Sequence, residues 1–156
     1  MPAHRHPVLL AARIFLIALG LVGCGRDDAL FVRAVDPLNC SPDGETTTVD
    51  IRIYQLRRQG SFLAADFTSL WLDDDAALAG DQLGDPKAVT IRPGDGAERP
   101  RRIAVGPWQE GALYVGIMAL YPQSPAEGAR RTVLSAFDLE DHVSVLGDGR
   151  LEVVSR

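Results

Sequence analysis

Side chains able to do chemistry are scarce in this chain. Of 156 residues, three are histidines (His4, His6 and His142) and two are cysteines (Cys24 and Cys40). Two of the histidines stand within the first six residues, so a His/Cys zinc site inside one folded chain has almost nothing to build with. His142 lies beside Glu140 and Asp141 near the start of an apolar run. A Ser-His-Asp site would need a serine brought to it, and no segment marks one, so His142 reads as a surface residue. The G-x-S-x-G, Walker A, G-x-G-x-x-G and H-E-x-x-H patterns are absent. Asp73, Asp74 and Asp75, with Asp81 and Asp85 nearby, form the densest acidic cluster. Calcium needs several oxygens at set spacings, and the EF-hand pattern is missing. Carboxylates beside the free amides of a helix start are the plainer reading. The expectation is therefore no catalytic residue, no metal and no cofactor.

The chemistry that remains is at Cys24. Residues 1–13 carry Arg5 and Arg13 and no acid, and residues 14–23, IFLIALGLVG, form an uncharged apolar run of ten. A bilayer-spanning helix needs about 20 such residues, whereas the h-region of a secretory signal is this short. The run ends in Leu21-Val22-Gly23-Cys24. That resembles the bacterial lipobox, where small residues admit the chain to a peptidase and the cysteine thiol takes a diacylglyceryl group. The bland alternative is an uncleaved anchor helix with an incidental cysteine. Gly25 follows Cys24, where such signals carry Asp to retain a protein in the inner membrane, so outer-membrane sorting is expected. Acyl chains anchor at about 0.8 kcal/mol per CH₂, and stable residence takes more than one chain. From Cys24 onward, 14 bases face 21 acids. That balance argues against a nucleic-acid partner. With Cys24 acylated, Cys40 has no intrachain disulfide partner.

These features imply a signal peptide over 1–23, a lipidated tether over 24–29 and one domain over 30–156. Within that domain Val49–Leu56 (VDIRIYQL) alternates, with Val49, Ile51 and Ile53 on one face and Asp50, Arg52 and Tyr54 on the other. Further strands are expected at 30–35, 88–92, 101–105, 131–137, 142–146 and 150–155. The nearly all-apolar 112–121 should be a central strand buried on both sides or covered by another element. Pro93-Gly94-Asp95-Gly96, Gly106-Pro107 and Gly147-Asp148-Gly149 supply the turns. Eight short strands point to a mainly β, two-sheet sandwich. Residues 61–80 break this rhythm: Phe62, Phe67, Leu70 and Trp71 have helical spacing, Asp66 could cap 67–72, and Asp75 could cap 76–79 before Gly80. The aromatic side of this insert is expected to pack on the sandwich.

The lipobox, the first strand, a Pro/Gly-bearing loop, VDIRIYQL, Phe62, Ala65-Asp66-Phe67, Leu70 and the late YVGIMALY occur in one order. Together they resemble the outer-membrane lipoprotein of the bacterial type VI secretion system, the TssJ (SciN, VasD) family. Asp36-Pro37 stands where that family often has Asn-Pro, residues 127–132 lack the family's Trp, and Cys40 is not a family feature. The resemblance implies a transthyretin-like sandwich with a helical insert and no catalytic activity. It further implies a periplasmic protein lipid-anchored in the outer membrane, whose partner is the periplasmic C-terminal region of the inner-membrane protein TssM. The contact is implied for the loop between the first two strands, 36–48 here. Its named candidates are Asp36, Pro37, Leu38, Asn39, Cys40, Ser41, Pro42, Asp43 and Gly44. Two other classes stay open: a lipoprotein module binding a small ligand or glycan through Trp71 or Trp108, and an envelope enzyme using two converging acids. A concave aromatic pocket would mark the first, and paired carboxylates in a cleft the second.

Overall fold

The computed structural model describes residues 28–41, 43–122 and 127–156. The expected signal peptide, Cys24 and Pro42 lie outside the described residues. Eight strands form two four-stranded sheets. They are β1 (Ala29–Ala34), β2 (Val49–Leu56), β3 (Lys87–Ile91), β4 (Arg101–Ala104), β5 (Tyr114–Ala119), β6 (Arg131–Ser135), β7 (His142–Gly147) and β8 (Arg150–Ser155). The spatial orders are β4-β1-β7-β8 and β3-β2-β5-β6. All pairs are antiparallel except β1 with β7, where Phe31 stands opposite Val143 and Ala34 opposite Leu146. Every expected strand is present, and β2 and β8 keep the expected boundaries.

The core follows from the alternation. Ile51 and Ile53 of β2, Val115 and Ile117 of β5, Leu30 and Val32 of β1, and Leu146 of β7 meet between the sheets. Their neighbours on the opposite face of β2 and β5 are also buried. Tyr54, Leu56 and Met118 pack with Phe62, Leu70 and Leu78 of the helical insert into a second cluster. So β5 is interior in its sheet and covered on both faces, which accounts for its unbroken apolar sequence.

The insert comprises three short helices: α1 (Gly60–Ala64), α2 (Phe67–Leu72) and α3 (Asp74–Leu78). Asp66 caps α2 as expected, its side chain accepting from the Ser69 amide at 2.8 Å. The next cap differs. Asp73, not Asp75, accepts from the Ala76 amide at 3.1 Å, so α3 starts at Asp74, two residues earlier than expected, and Asp75 lies in its first turn. Ala79 and Gly80 then adopt positive φ, the left-handed ending that glycine favours. α1 carries no cap signature: Gln59 makes no side-chain cap bond, and burial of Phe62 holds the helix. Trp71 also departs from expectation. It is 44% exposed, lying beneath the Arg52 guanidinium, 4.6 Å from the ring centre. Arg52, projecting from the outer face of β2, pins the insert by donating to the carbonyls of Leu70 and Trp71, both at 3.3 Å, and by pairing with Asp74 at 3.6 Å.

Candidate partner-binding surface

The two ends of the sandwich differ in what they carry. At one end lie Asp28, whose carbonyl accepts from the Val105 amide, the close of β2 at Gln55, bonded to Pro107 and Gln109, and the close of β6. The described chain begins here. At the other end lie the β1–β2 loop, the β7–β8 turn and the β3–β4 connection. The Asp148 amide donates to Pro37 O at 2.6 Å, and the Ala34 amide to Asp95 O at 2.7 Å. β1 separates the two poles by six residues, about 20 Å at strand rise.

The β1–β2 loop is folded rather than slack. It leaves β1 through a cis Asp36-Pro37 bond, and Leu38 is fully buried in the inter-sheet core. Leu38 is thus the root of the loop, not part of its outer face. Beyond it the chain doubles back on itself. Asn39 Nδ2 donates to Thr47 Oγ1 at 2.9 Å and to Thr48 O at 3.0 Å, while the Thr47 amide donates to Asn39 O at 2.8 Å. Cys40 bridges to Thr46, and the Ser41 amide donates to Glu45 O at 2.9 Å. The Gly44 amide closes the tip onto Ser41 O at 2.9 Å, with Gly44 at φ +81°, where a Cβ would be strained. Asp36, Pro37, Cys40, Asp43, Gly44 and Glu45 are exposed. Of the nine expected contact residues, the structure makes Leu38 an anchor and Asn39 an internal tie. The rest that are described stand on or near the surface. Thr46–Thr48, the return arm, belong to the same hairpin; they lie within the expected loop 36–48 but outside its nine named candidates.

The other expected sites resolve into structural roles. His142 Nδ1 lies 2.8 Å from Asp138 O. Asp81 is separate in function from the Asp73–Asp75 run. It is buried, accepting from Ser61 Oγ at 2.6 Å and Arg58 Nε at 2.7 Å. The Ser61 bond, then the Arg58 bond and charge, hold its carboxyl below the usual range. Among the described residues no group of three or more His, Cys, Asp or Glu side chains could hold a metal ion. Cys40 is a free, exposed thiol. Trp108 packs against the inter-sheet core while Trp71 sits on the insert, so the two tryptophans serve different layers. Among the described residues no helix is long and apolar enough to cross a membrane.

The family model for the type VI secretion lipoprotein (SciN, VasD, EvfM, TssJ) matches residues 27–145. The chain belongs to this family. No curated protein matches its sequence. Solved structures share its fold. One is TssJ1 from Pseudomonas aeruginosa, at 24% identity and TM-score 0.65, covering 82% of this chain and 94% of that one. Another is a chain of a type VI membrane complex, at 28% identity and TM-score 0.68, covering 81% and 95%. A third is a chain in a structure described as the TssM C-terminal domain from EAEC, at 24% identity and TM-score 0.65, covering 82% and 97%. This TssJ-family chain therefore carries the sandwich of its relatives, matched over 81–82% of its length, with the tied hairpin at one pole.

Proposed function

We propose that this TssJ-family lipoprotein anchors a type VI secretion membrane complex to the outer membrane by binding the periplasmic C-terminal region of TssM. Cys24, acylated and made N-terminal by cleavage, holds the Asp28 pole at the periplasmic face of the outer membrane. The hairpin Asp36–Thr48 at the opposite pole presents its exposed tip to the partner. No catalytic residue, cofactor or small-molecule substrate enters this role.

The observation that carries the reading is the opposition of the two poles. β1 starts beside Asp28 at one pole and ends at the hydrogen-bonded hairpin at the other, so a lipid held at Cys24 would leave the hairpin on the far side. A chain of this fold in the structure described as the TssM C-terminal domain supports the choice of partner. A loop already tied by Asn39 and Thr47 loses little freedom on binding, so more of its contact energy appears as affinity. Confinement of both partners between apposed membranes raises their effective concentration further.

The test is capture of the TssM periplasmic region by the acylated protein. Replacing Ser41–Glu45 with a Gly/Ser linker should abolish capture while the sandwich stays folded. Unchanged capture would remove this loop from the interface. Cys24→Ser should release the protein from membranes, and a mature Cys24→Ser species still fractionating with membranes would contradict the anchor.

A further inference from the structure

The pole that carries the tether has a surface of its own. Phe137, just beyond β6, is 67% exposed, and Leu113, just before β5, is 46% exposed. They are neighbours through the backbone, the Ala136 amide donating to Leu113 O at 2.9 Å. Phe137 also shares a shallow cleft of about 210 Å³ with Asp28, the first described residue. Leu113 borders a second hollow of about 460 Å³ beside the exposed Arg57 and Arg58. The alternation in β6 explains why Phe137 is outside: Leu134 and Ala136 face inward and are buried, and Phe137 takes the opposite parity.

Tether length decides what this surface meets. Four peptide links separate Cys24 from Asp28, so a fully extended tether spans at most about 14 Å. That is less than half the thickness of a bilayer with its headgroups. An acylated Cys24 therefore keeps the Asp28 pole against the lipid.

We propose that this pole rests on the bilayer, with Phe137 and Leu113 entering the interfacial layer beside the acyl chains and Arg57 and Arg58 meeting lipid phosphates. An aromatic ring with an adjacent aliphatic side chain suits that layer, where apolar burial is gained without crossing the hydrocarbon core. Glu140 and Asp141 border the cleft behind Phe137, so apolar contact rather than net charge drives the insertion. The consequence is orientation. A second contact beside the lipid stops the domain from swinging and keeps the hairpin pole aimed away from the membrane. This inference rests on acylation of Cys24.

The test uses the full acylated protein in vesicles of phosphatidylethanolamine and phosphatidylglycerol. With Cys24 acylated, Cys40 is the native thiol available for a spin label at the hairpin pole. Asp138→Cys in a Cys40→Ser background places a label beside Phe137 instead. Paramagnetic accessibility should show the label at 138 shielded severalfold from an aqueous nickel chelate relative to the label at 40. Adding Phe137→Ser and Leu113→Ser should return it to water while the protein stays on the vesicles. A label at 138 as accessible as that at 40, on protein whose Cys24 is acylated by mass spectrometry, overturns the proposal and leaves the lipid anchor standing. Shielding that arises only when a protein partner is added overturns it too, by making the face a protein interface. Absence of acyl chains on Cys24, with no vesicle binding, sinks the anchor and this proposal together.

Discussion

Asp81 keeps its charge inside the wall of the insert because Ser61 and Arg58 donate to it. Its folded pKa is depressed, first by the Ser61 bond and then by Arg58. An unfolded Asp titrates near 3.9. The contribution of Asp81 is therefore complete above that value and is lost as pH falls through the lower folded value. Asp81→Asn should lower stability at pH 7, and the gap to wild type in urea denaturation should narrow as the pH drops below about 3.9. A gap independent of pH would contradict the charged reading. At the hairpin root the limit is space. A Cβ on Gly147 would collide with Val35 Cγ2 and lie 3.0 Å from Val35 O. Gly147→Ala should cost about 1–3 kcal/mol in chemical denaturation, since overpacking forces the neighbouring backbone to move. Little of this was legible beforehand. Asp81 read as part of an acidic cluster, because sequence separation hides that Ser61 and Arg58 fold over it.

At the scale of elements, legibility followed the strength of the local pattern. β2 was readable to the residue because branched apolar side chains alternate with polar ones, and α2 because Asp66 is a strong cap. α1 was missed because it is one turn long, has no cap, and exists only through the burial of Phe62. The start of α3 slipped by two residues because three adjacent aspartates offer the same capping chemistry, and only the backbone at Asp73 selects among them. The layer beneath the insert gives a sharp test. A Cβ on Gly116 would stand 3.0 Å from Leu56 Cδ1 and from Phe62 Cε2 and Cζ. Gly116→Val should push the insert off β5 and cost about 1–3 kcal/mol, read as a lower denaturation midpoint. For the hairpin, Asn39→Ala removes two hydrogen bonds between its arms. It should weaken TssM capture more than it weakens the fold, since a net hydrogen bond at a surface is worth only about 1 kcal/mol of stability. Capture that tracks stability across such variants would deny the hairpin a part in binding.

At the scale of the whole molecule, the useful property is polarity along the strands. The sequence carried the two ends separately: a segment expected to be an export signal ending in Cys24, and a long Pro/Gly loop after the first strand. That Asp28 and this loop lie at opposite poles depends on β1 running the full height of a sandwich, parallel to β7 and antiparallel to β4, which no local pattern encodes. Leu38 looked like a contact residue for the same reason, because its burial depends on the second sheet. On the proposed anchoring, the sandwich would set about 20 Å between the lipid and the loop and carry a pulling load between them. Site-specific photo-crosslinking in the native envelope addresses this arrangement most directly, with a benzophenone side chain at Asp43 on the hairpin tip or at Val154 on β8. The account predicts a TssM adduct from position 43 and none from 154. Adducts from 154 with none from 43, or TssM captured equally from both positions, would contradict it.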